Sequence, residues 1–414
     1  MPAATDPRPA AVEGFADAVI DWHAAHGRHD LPWQSDPSPY RVWVSEIMLQ
    51  QTRVGTVIPY FQRFMARFPD IESLARAEID QVLHLWTGLG YYARARNLHK
   101  AARTIMREHG GRLPPTVEEL ERLSGIGRST AGAIVCLGHG RPAPILDGNV
   151  KRVLARCFAV EGYPGTSKTG AELWALAERL LPKNIAENHP GDQSSGERGR
   201  AAAYTQGMMD LGATLCARAN PDCPRCPLRR RCLARQRGEI DRHPGKRAAK
   251  ALPVRSVAMF ILQNGDGRVL LEKRPPHGVW GSLYSLPQVD LPQSQSQSQS
   301  QSRAKMSASP ASGAGRSVGK SEALPPPPPQ TMGLRYRDEP PVELPGIKHS
   351  FTHFQLDIGP VLYRVDSADT AVAESGRWLW YAIDNPAEVG LAAPVRKLLA
   401  SLAPSPHDNQ PEPP

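Results

Sequence analysis

No stretch of this 414-residue chain is apolar for long. The longest near-apolar run, Ala131 to Gly138, is far too short to span a bilayer. The N-terminus, MPAATDPRPA, lacks the apolar core of a signal peptide and the helical arginine pattern of a transit peptide. It reads as a disordered leader over residues 1–9. No basic amphipathic stretch carries an aromatic face, which disfavours a membrane surface as partner. Cysteine is scarce as well, six residues in all, and with no secretory signal a disulfide framework is disfavoured. Acidic residues are in deficit, 41 against 50 Lys and Arg, and the formal net charge of +9 favours a polyanionic partner. The length suits two domains, each able to bury a core.

What is present is concentrated. Cys216, Cys223, Cys226 and Cys232 follow a C-x6-C-x2-C-x5-C spacing, and Arg218, Arg229, Arg230 and Arg231 lie in the loops between them. Four thiolates so close can enclose one metal centre, and sulfur ligation points to zinc or an iron–sulfur cluster. Zinc sites usually draw ligands as two short-spaced pairs, and only Cys223 and Cys226 form one here, which favours the cluster. Cys136 and Cys157 lie in apolar helical patterns and read as core residues.

The chain changes texture along its length. Residues 10–235 show helix after helix. Phe15, Val19 and Trp22 share one amphipathic face; Val150, Val153, Leu154, Cys157 and Phe158 share another. Thr116 and Glu119 have capping-box spacing. A basic connector follows at 236–254. Strand signals then begin: Val257–Leu262, a turn at Asn264-Gly265-Asp266-Gly267, and Arg268–Leu271 predict a hairpin. A Gln-Ser repeat and five prolines make 291–330 a disordered insert. Strand signals resume near 342, a short helix is expected at Pro394–Leu402, and 403–414 reads as a disordered tail.

Between two helical stretches stands Leu123-Ser124-Gly125-Ile126-Gly127-Arg128. Two glycines one residue apart turn the backbone sharply and present N–H groups at the next helix start, which suits a phosphate; a tight helix–helix connection is the plainer alternative. Glu46 sits in an apolar helical run with Val42, Trp43, Leu49 and Gln50 as its neighbours one turn away, so no local cation stabilises its charge. It either faces solvent or is desolvated with a raised pKa, as a general acid near neutral pH requires. Asp147 precedes a helix. It is a plain N-cap, or a fixed anion able to stabilise a cation forming nearby. Spacing alone cannot bring the two carboxylates together.

Five motifs occur in order: Ser45-Glu46-Ile47-Met48-Leu49-Gln50-Gln51-Thr52, Gly88-Leu89-Gly90-Tyr91-Tyr92-Ala93-Arg94, the Gly125–Gly127 hairpin, Asp147-Gly148-Asn149-Val150-Lys151-Arg152, and the four-cysteine loop. Together they resemble the MutY-type adenine DNA glycosylases of the helix-hairpin-helix, iron–sulfur superfamily. Lys273-Arg274-Pro275-Pro276 through Gly278-Val279-Trp280-Gly281, with His349 through Phe354, resembles that family's Nudix-like C-terminal domain.

The resemblance implies a multidomain protein. An all-α glycosylase domain spans 10–235, with its hairpin at about 116–139 and a [4Fe–4S] loop at 216–232. An α+β Nudix-like domain over 255–402 is interrupted by the 291–330 insert. It implies a cytoplasmic, nucleoid-associated bacterial repair enzyme, acting as a monomer on double-stranded DNA to remove adenine opposite 8-oxoguanine or guanine. Glu46 would be the acid, Asp147 the anion facing the sugar cation, and Asn149 an orienting residue. Gln51 and Tyr91 would meet the opposite strand, with Tyr91 as a wedge. Gly125, Gly127 and Ser129 would lie on the DNA backbone, and Phe351, Thr352 and His353 on the lesion.

Where the related endonuclease III type carries a lysine, this chain has Ser129, and a hydroxyl cannot form an imine. Base excision without efficient strand cleavage is therefore expected; Lys151 is close enough to Asp147 in sequence for weak incidental imine chemistry. The Nudix signature needs a glutamate six positions after its leading glycine. Tyr284 and Pro287 stand there after Gly278 and Gly281, so no Mg²⁺ site is legible. The competing readings are a bifunctional pyrimidine glycosylase/lyase on the same scaffold and a non-catalytic iron–sulfur DNA-binding protein.

Overall fold

The computed structural model describes residues 12–182, 196–247, 251–292, 334–366 and 376–402. The leader at 1–9, the tail at 403–414 and, from 293 onward, the insert expected over 291–330 lie outside the described residues; Leu291 is instead the end of a strand, paired with Ser256. The chain divides into two units, Met1–Ala249 and Lys250–Pro414. Among the described residues no helix is long and apolar enough to cross a membrane.

The first unit is helical. Its central helix, Pro39–Leu49, starts on Pro39 and on Ser38, whose hydroxyl accepts the Arg41 N–H at 3.3 Å. Tyr40, Val42, Trp43, Val44, Ser45, Ile47 and Met48 are all buried, so this helix is covered almost all round. Phe15 and Val19 of the Phe15–His26 helix enter a core with Val150, Val153, Leu154, Cys157 and Phe158, as their spacing predicts; Trp22 is only half-buried.

Thr116 caps the Val117–Glu121 helix by accepting the Glu119 N–H, but its hydroxyl donates to the Glu119 carboxylate at 2.6 Å. That carboxylate is thereby engaged by the hydroxyl, so the box is one-sided. After the Gly125–Gly127 turn the chain runs through Arg128–Ala133 and continues as a π-helical turn, Ile134–Gly138. Gly125 has φ +80° and a Cβ there would lie 2.7 Å from Asn97 Cβ, so glycine is required on both counts.

The segment after the cysteine loop is not free chain. The buried His243 ring bonds the Val160 carbonyl at 3.0 Å, and Gly245 N–H donates to Gly162 O.

The second unit is a mixed sheet built on a parallel pair. β1 (Val254–Gln263) lies beside β5 (Gln355–Asp366), from Val254↔Gln355 to Gln263↔Arg364. β2 (Val269–Lys273) returns antiparallel to β1 through the expected turn, with Asn264 Oδ1 accepting the N–H groups of Asp266 and Arg268. β3 (Gln288–Leu291) also pairs with β1, and β4 (Ile347–Ser350) forms a hairpin with β5. The terminal helix, Ala393–Ser401, buries Val395, Leu398 and Leu399.

Candidate active site and cysteine loop

A cavity of about 1110 Å³ opens beside the central helix, and Glu46, Gln50, Gln51, Ser129, Asp147, Asn149 and Arg152 all line it. The tertiary fold thus brings together the two carboxylates that spacing could not. The environments differ. The Glu46 carboxyl is half-buried on the cavity wall, and desolvation there, with the Asp147 charge second, pushes it up to about 8. Asp147 is raised by burial too, but donors pull it back. Its Oδ1 accepts Val150 N–H at 2.7 Å and its Oδ2 accepts Asn149 Nδ2 at 3.1 Å, with Arg152 beyond. When one proton is available to the pair, Glu46 holds it and Asp147 remains the anion.

Asn149 is fixed on both sides. Its Oδ1 accepts Arg152 Nη2 at 2.9 Å, and the helix Gly196–Thr214 approaches so closely that a Cβ on Gly212 would lie 2.6 Å from Asn149 Cβ. Arg152 also donates to Gly212 O at 2.5 Å and, through Nε, to Cys216 O at 2.7 Å. One guanidinium therefore ties the carboxylate turn to the first cysteine. Ser129 Oγ accepts Leu146 N–H at 3.0 Å, which anchors the strand of chain leading into Asp147. Among the described residues lining the cavity none is a lysine, and Lys151 is not one of them.

Gln51 and Tyr91 share an unusual backbone. Both have positive φ, 58° and 49°, and the Tyr91 side chain is 46% exposed. Left-handed backbone costs a non-glycine residue about 1 kcal/mol or more, so something holds both loops. Arg94 does. It is buried and donates through Nη1 to the carbonyls of Ile47, Met48 and Gln50 at 3.0, 2.6 and 2.6 Å. Through Nη2 it donates to Thr52 Oγ1 and Gly90 O, both at 3.1 Å. Burial lowers its pKa to about 10, so it stays charged at neutral pH.

Two further residues escaped sequence reasoning. Asp210 is fully buried, takes Arg28 through N–H and guanidinium, and accepts Gln206 Nε2 at 3.0 Å. A lone carboxylate between Met208, Met209 and Leu211 was its available signal. Arg156 had none, because arginine at a helix end is ordinary. It is buried, with Nη1 3.3 Å from Cys216 Sγ and donating to Ala217 O at 2.7 Å.

Cys216, Cys223, Cys226 and Cys232 line one shared apolar cavity with Leu211, Leu215 and Leu228, and none is in a disulfide. Among the described residues no three His, Cys, Asp or Glu side chains converge tightly enough for a single ion. Burial pushes the Cys226 thiol up to about 12, so a cationic centre is what would turn it into a thiolate. Cys157 is buried in the core, as its pattern predicts, and lines this cavity as well, while Cys232 Sγ donates to Arg156 O at 3.5 Å.

In the second unit, Phe351, Thr352 and His353 form the tip of the β4–β5 hairpin, closed by Phe351 N–H to Phe354 O at 2.8 Å. Thr352 and His353 are exposed. Phe351 is half-buried, stacked on Phe354 at 4.5 Å and edge-on to His349 at 4.6 Å.

A helix-hairpin-helix unit with paired cavity carboxylates, followed by a mixed-sheet unit, defines a class of base-excision repair enzymes. Residues 44–179 match the family model described as HhH-GPD superfamily base excision DNA repair protein, and residues 258–401 match the NUDIX domain model. The adenine DNA glycosylase of Buchnera aphidicola (subsp. Acyrthosiphon pisum) is 34% identical over 388 residues, covering 94% of this chain and 97% of its own. The human adenine DNA glycosylase is 40% identical over 239 residues, 56% of this chain and 41% of its own. Among solved structures, a thermostable thymine-DNA glycosylase matches 55% of this chain and 98% of its own, at 26% identity and TM-score 0.46. The chain belongs to the adenine DNA glycosylase family. It is a base-excision repair enzyme that removes adenine from DNA.

Proposed function

We propose that the chain hydrolyses the N-glycosidic bond of adenine paired with 8-oxoguanine or guanine, without cleaving the strand. The observation that carries this reading is the asymmetry of the two cavity carboxylates: Glu46 has a raised pKa near 8, and Asp147 is held by donors. Adenine leaves poorly as an anion. Glu46 protonates N7, a step worth roughly 10²–10⁴ in rate. The departing base leaves a sugar with oxocarbenium character, and Asp147 stabilises it as Asn149 keeps the carboxylate aimed. The adenine must first leave the stack, which costs a few kcal/mol and less at a mispair.

The absence of lysine among the described cavity-lining residues supports a monofunctional reaction, since imine chemistry needs an amine. On this reading the two modules divide the work. Residues 10–235 carry the chemistry and 255–402 read the lesion through Phe351, Thr352 and His353. Gln51 and the exposed Tyr91 engage the opposite strand, and Gly125, Gly127 and Ser129 lie along the backbone. A Cβ at Gly127 would meet nothing within 4 Å, which supports close approach of a phosphate there. The enzyme acts as a monomer, in the cytoplasm, wherever duplex DNA carries the mispair.

Cys216, Cys223, Cys226 and Cys232 would hold a [4Fe–4S] cluster, supported by their shared cavity and the Arg156 contact to Cys216. When bound, the group supplies a fixed point for the loop that presents Arg218, Arg229, Arg230 and Arg231 to phosphates, giving salt-dependent binding.

Single-turnover excision on duplexes carrying A opposite 8-oxoguanine, G, C or T tests the reading. The expected result is adenine release fastest opposite 8-oxoguanine, with strand breaks only after alkali. Breaks without alkali, or a strong covalent complex trapped by borohydride, would refute the monofunctional reading.

A further inference from the structure

The motif from Arg274-Pro275-Pro276 through Gly278-Val279-Trp280-Gly281 plays no part in the excision chemistry, yet it has a definite shape. It follows β2 directly and closes on itself. Arg274 N–H donates to Leu283 O at 2.8 Å, Ser282 N–H to Pro275 O at 3.1 Å, and Leu283 N–H to Trp280 O at 2.9 Å. Trp280 and Ser282 both take left-handed backbone, at φ 55° and 63°. That conformation is strained for a residue with a Cβ, and it persists only where the surroundings impose it.

What the strained turn presents is the Trp280 indole. It is 8% exposed, and its ring centroid lies 5.6 Å from that of Phe351 and 5.8 Å from that of His349. His349 and Phe351 meet edge-on at 4.6 Å, so rings from two separate segments close a triangle beside the β4–β5 tip. Phe351 also stacks on Phe354 at 4.5 Å, and the Arg255 guanidinium of β1 lies 4.7 Å from the Phe354 centroid. Rings at these separations attract one another beyond the area they bury, with a preferred geometry. A buried position needs no indole, and leucine would fill much of it. A large ring is what reaches His349 and Phe351 at once.

We propose that Trp280 is a positioning residue for lesion recognition: its indole, held by the turn after β2, sets the orientation of Phe351 and with it the exposed Thr352 and His353. The proposal rests on the reading of those three residues as the ones that meet 8-oxoguanine. Trp280 itself touches no base on this account. It acts through the Phe351 ring, so its loss costs discrimination between 8-oxoguanine and guanine, and the carboxylates of the first unit are left as they were. Recognition groups must be held close to their productive geometry by side chains that are themselves locked by packing, and the turn supplies that lock from outside the hairpin.

Single-turnover excision by the full-length protein on duplexes carrying A opposite 8-oxoguanine or guanine tests this, the readout being the ratio of the two rates. In Trp280→Leu the ratio is expected to fall, by up to roughly 10²-fold for a displacement of about 1 Å. Trp280→Phe keeps a smaller ring, and an intermediate ratio is expected; it carries the test if the leucine variant does not fold. Phe260→Leu is the structural comparison. Phe260 is fully buried in the same unit and its ring meets Tyr363, so this change is expected to lower Tm and leave the ratio alone. Combining either Trp280 variant with Phe351→Ala is expected to give the ratio of Phe351→Ala alone, because the ring it acts through is gone. A wild-type ratio in the Trp280 variants beside a lowered one in Phe351→Ala would overturn the proposal. So would additive losses in the double variant, or an equal fall in Phe260→Leu. A wild-type ratio in Phe351→Ala would refute the lesion reading, and the proposal with it.

Discussion

The Arg94 guanidinium donates to Gln50 O at 2.6 Å while its carbon lies 5.5 Å from the centroid of the Tyr91 ring. One buried cation thereby holds two loops, each with a non-glycine residue at positive φ: Gln51 in one and Tyr91 in the other. Replacing it with Met leaves several buried carbonyls unpaired, each costing about 1–3 kcal/mol. Arg94→Met is expected to lower Tm clearly and weaken binding to an A:8-oxoguanine duplex. Arg94→Lys should rescue little, because a point charge cannot bridge both loops. Calorimetry and duplex titration check both.

The excision rate should fall as pH rises through about 8, where Glu46 loses its proton. Glu46→Gln should lose roughly 10²–10⁴ in single-turnover rate. Its stability should change in the opposite sense. An unfolded glutamate titrates near pH 4.3, roughly, whereas the folded one keeps its proton to about 8. Between those values the native state binds more protons, so the wild type loses about 1.4 kcal/mol per pH unit, and the glutamine variant lacks that slope. Urea unfolding of both proteins at pH 5 and pH 7.5 measures the difference.

Arg152 should act as a positioning residue for the acid limb. It orients Asn149, and its charge helps keep Asp147 ionised. In Arg152→Gln the low-pH limb of the rate profile is expected to move upward, with kcat reduced. An unmoved limb would assign Arg152 a purely structural part, through Gly212 and Cys216.

At the hairpin tip the residues separate. Thr352 and His353 are exposed, so the double change to alanine should leave Tm unaltered while eroding the preference for 8-oxoguanine over guanine. Phe351→Ala removes a ring stacked on Phe354, and should in addition cost about 1–2 kcal/mol of stability. Competition between the two duplexes, with thermal melts alongside, distinguishes them.

Cys226→Ser should yield protein with less iron and weaker, less salt-dependent DNA binding. Iron analysis and titrations at two salt concentrations read it; normal iron would contradict the ligand assignment.

Much of the fold was legible because its signals are local. The Phe15, Val19, Val150 and Leu154 periodicity reached the core, and Asn264 through Gly267 closed the predicted hairpin, since both depend on residues within a turn or two. Arg156 and Asp210 were not legible. Each makes sense only through partners far away in the chain, Cys216 in one case and Arg28 in the other. The capping box was half right, because a hydroxyl within reach of Glu119 competes for the carboxylate.

The sequence by itself determined which groups are present: an acid without a local cation at Glu46, an N-cap anion at Asp147, no amine at Ser129, four closely spaced thiols. Only the tertiary structure decided what each can do. Packing the Gly196–Thr214 helix on Asn149 and the central helix beside it placed Glu46 and Asp147 in one cavity, and a carboxyl's proton affinity is set by the burial and donors around it.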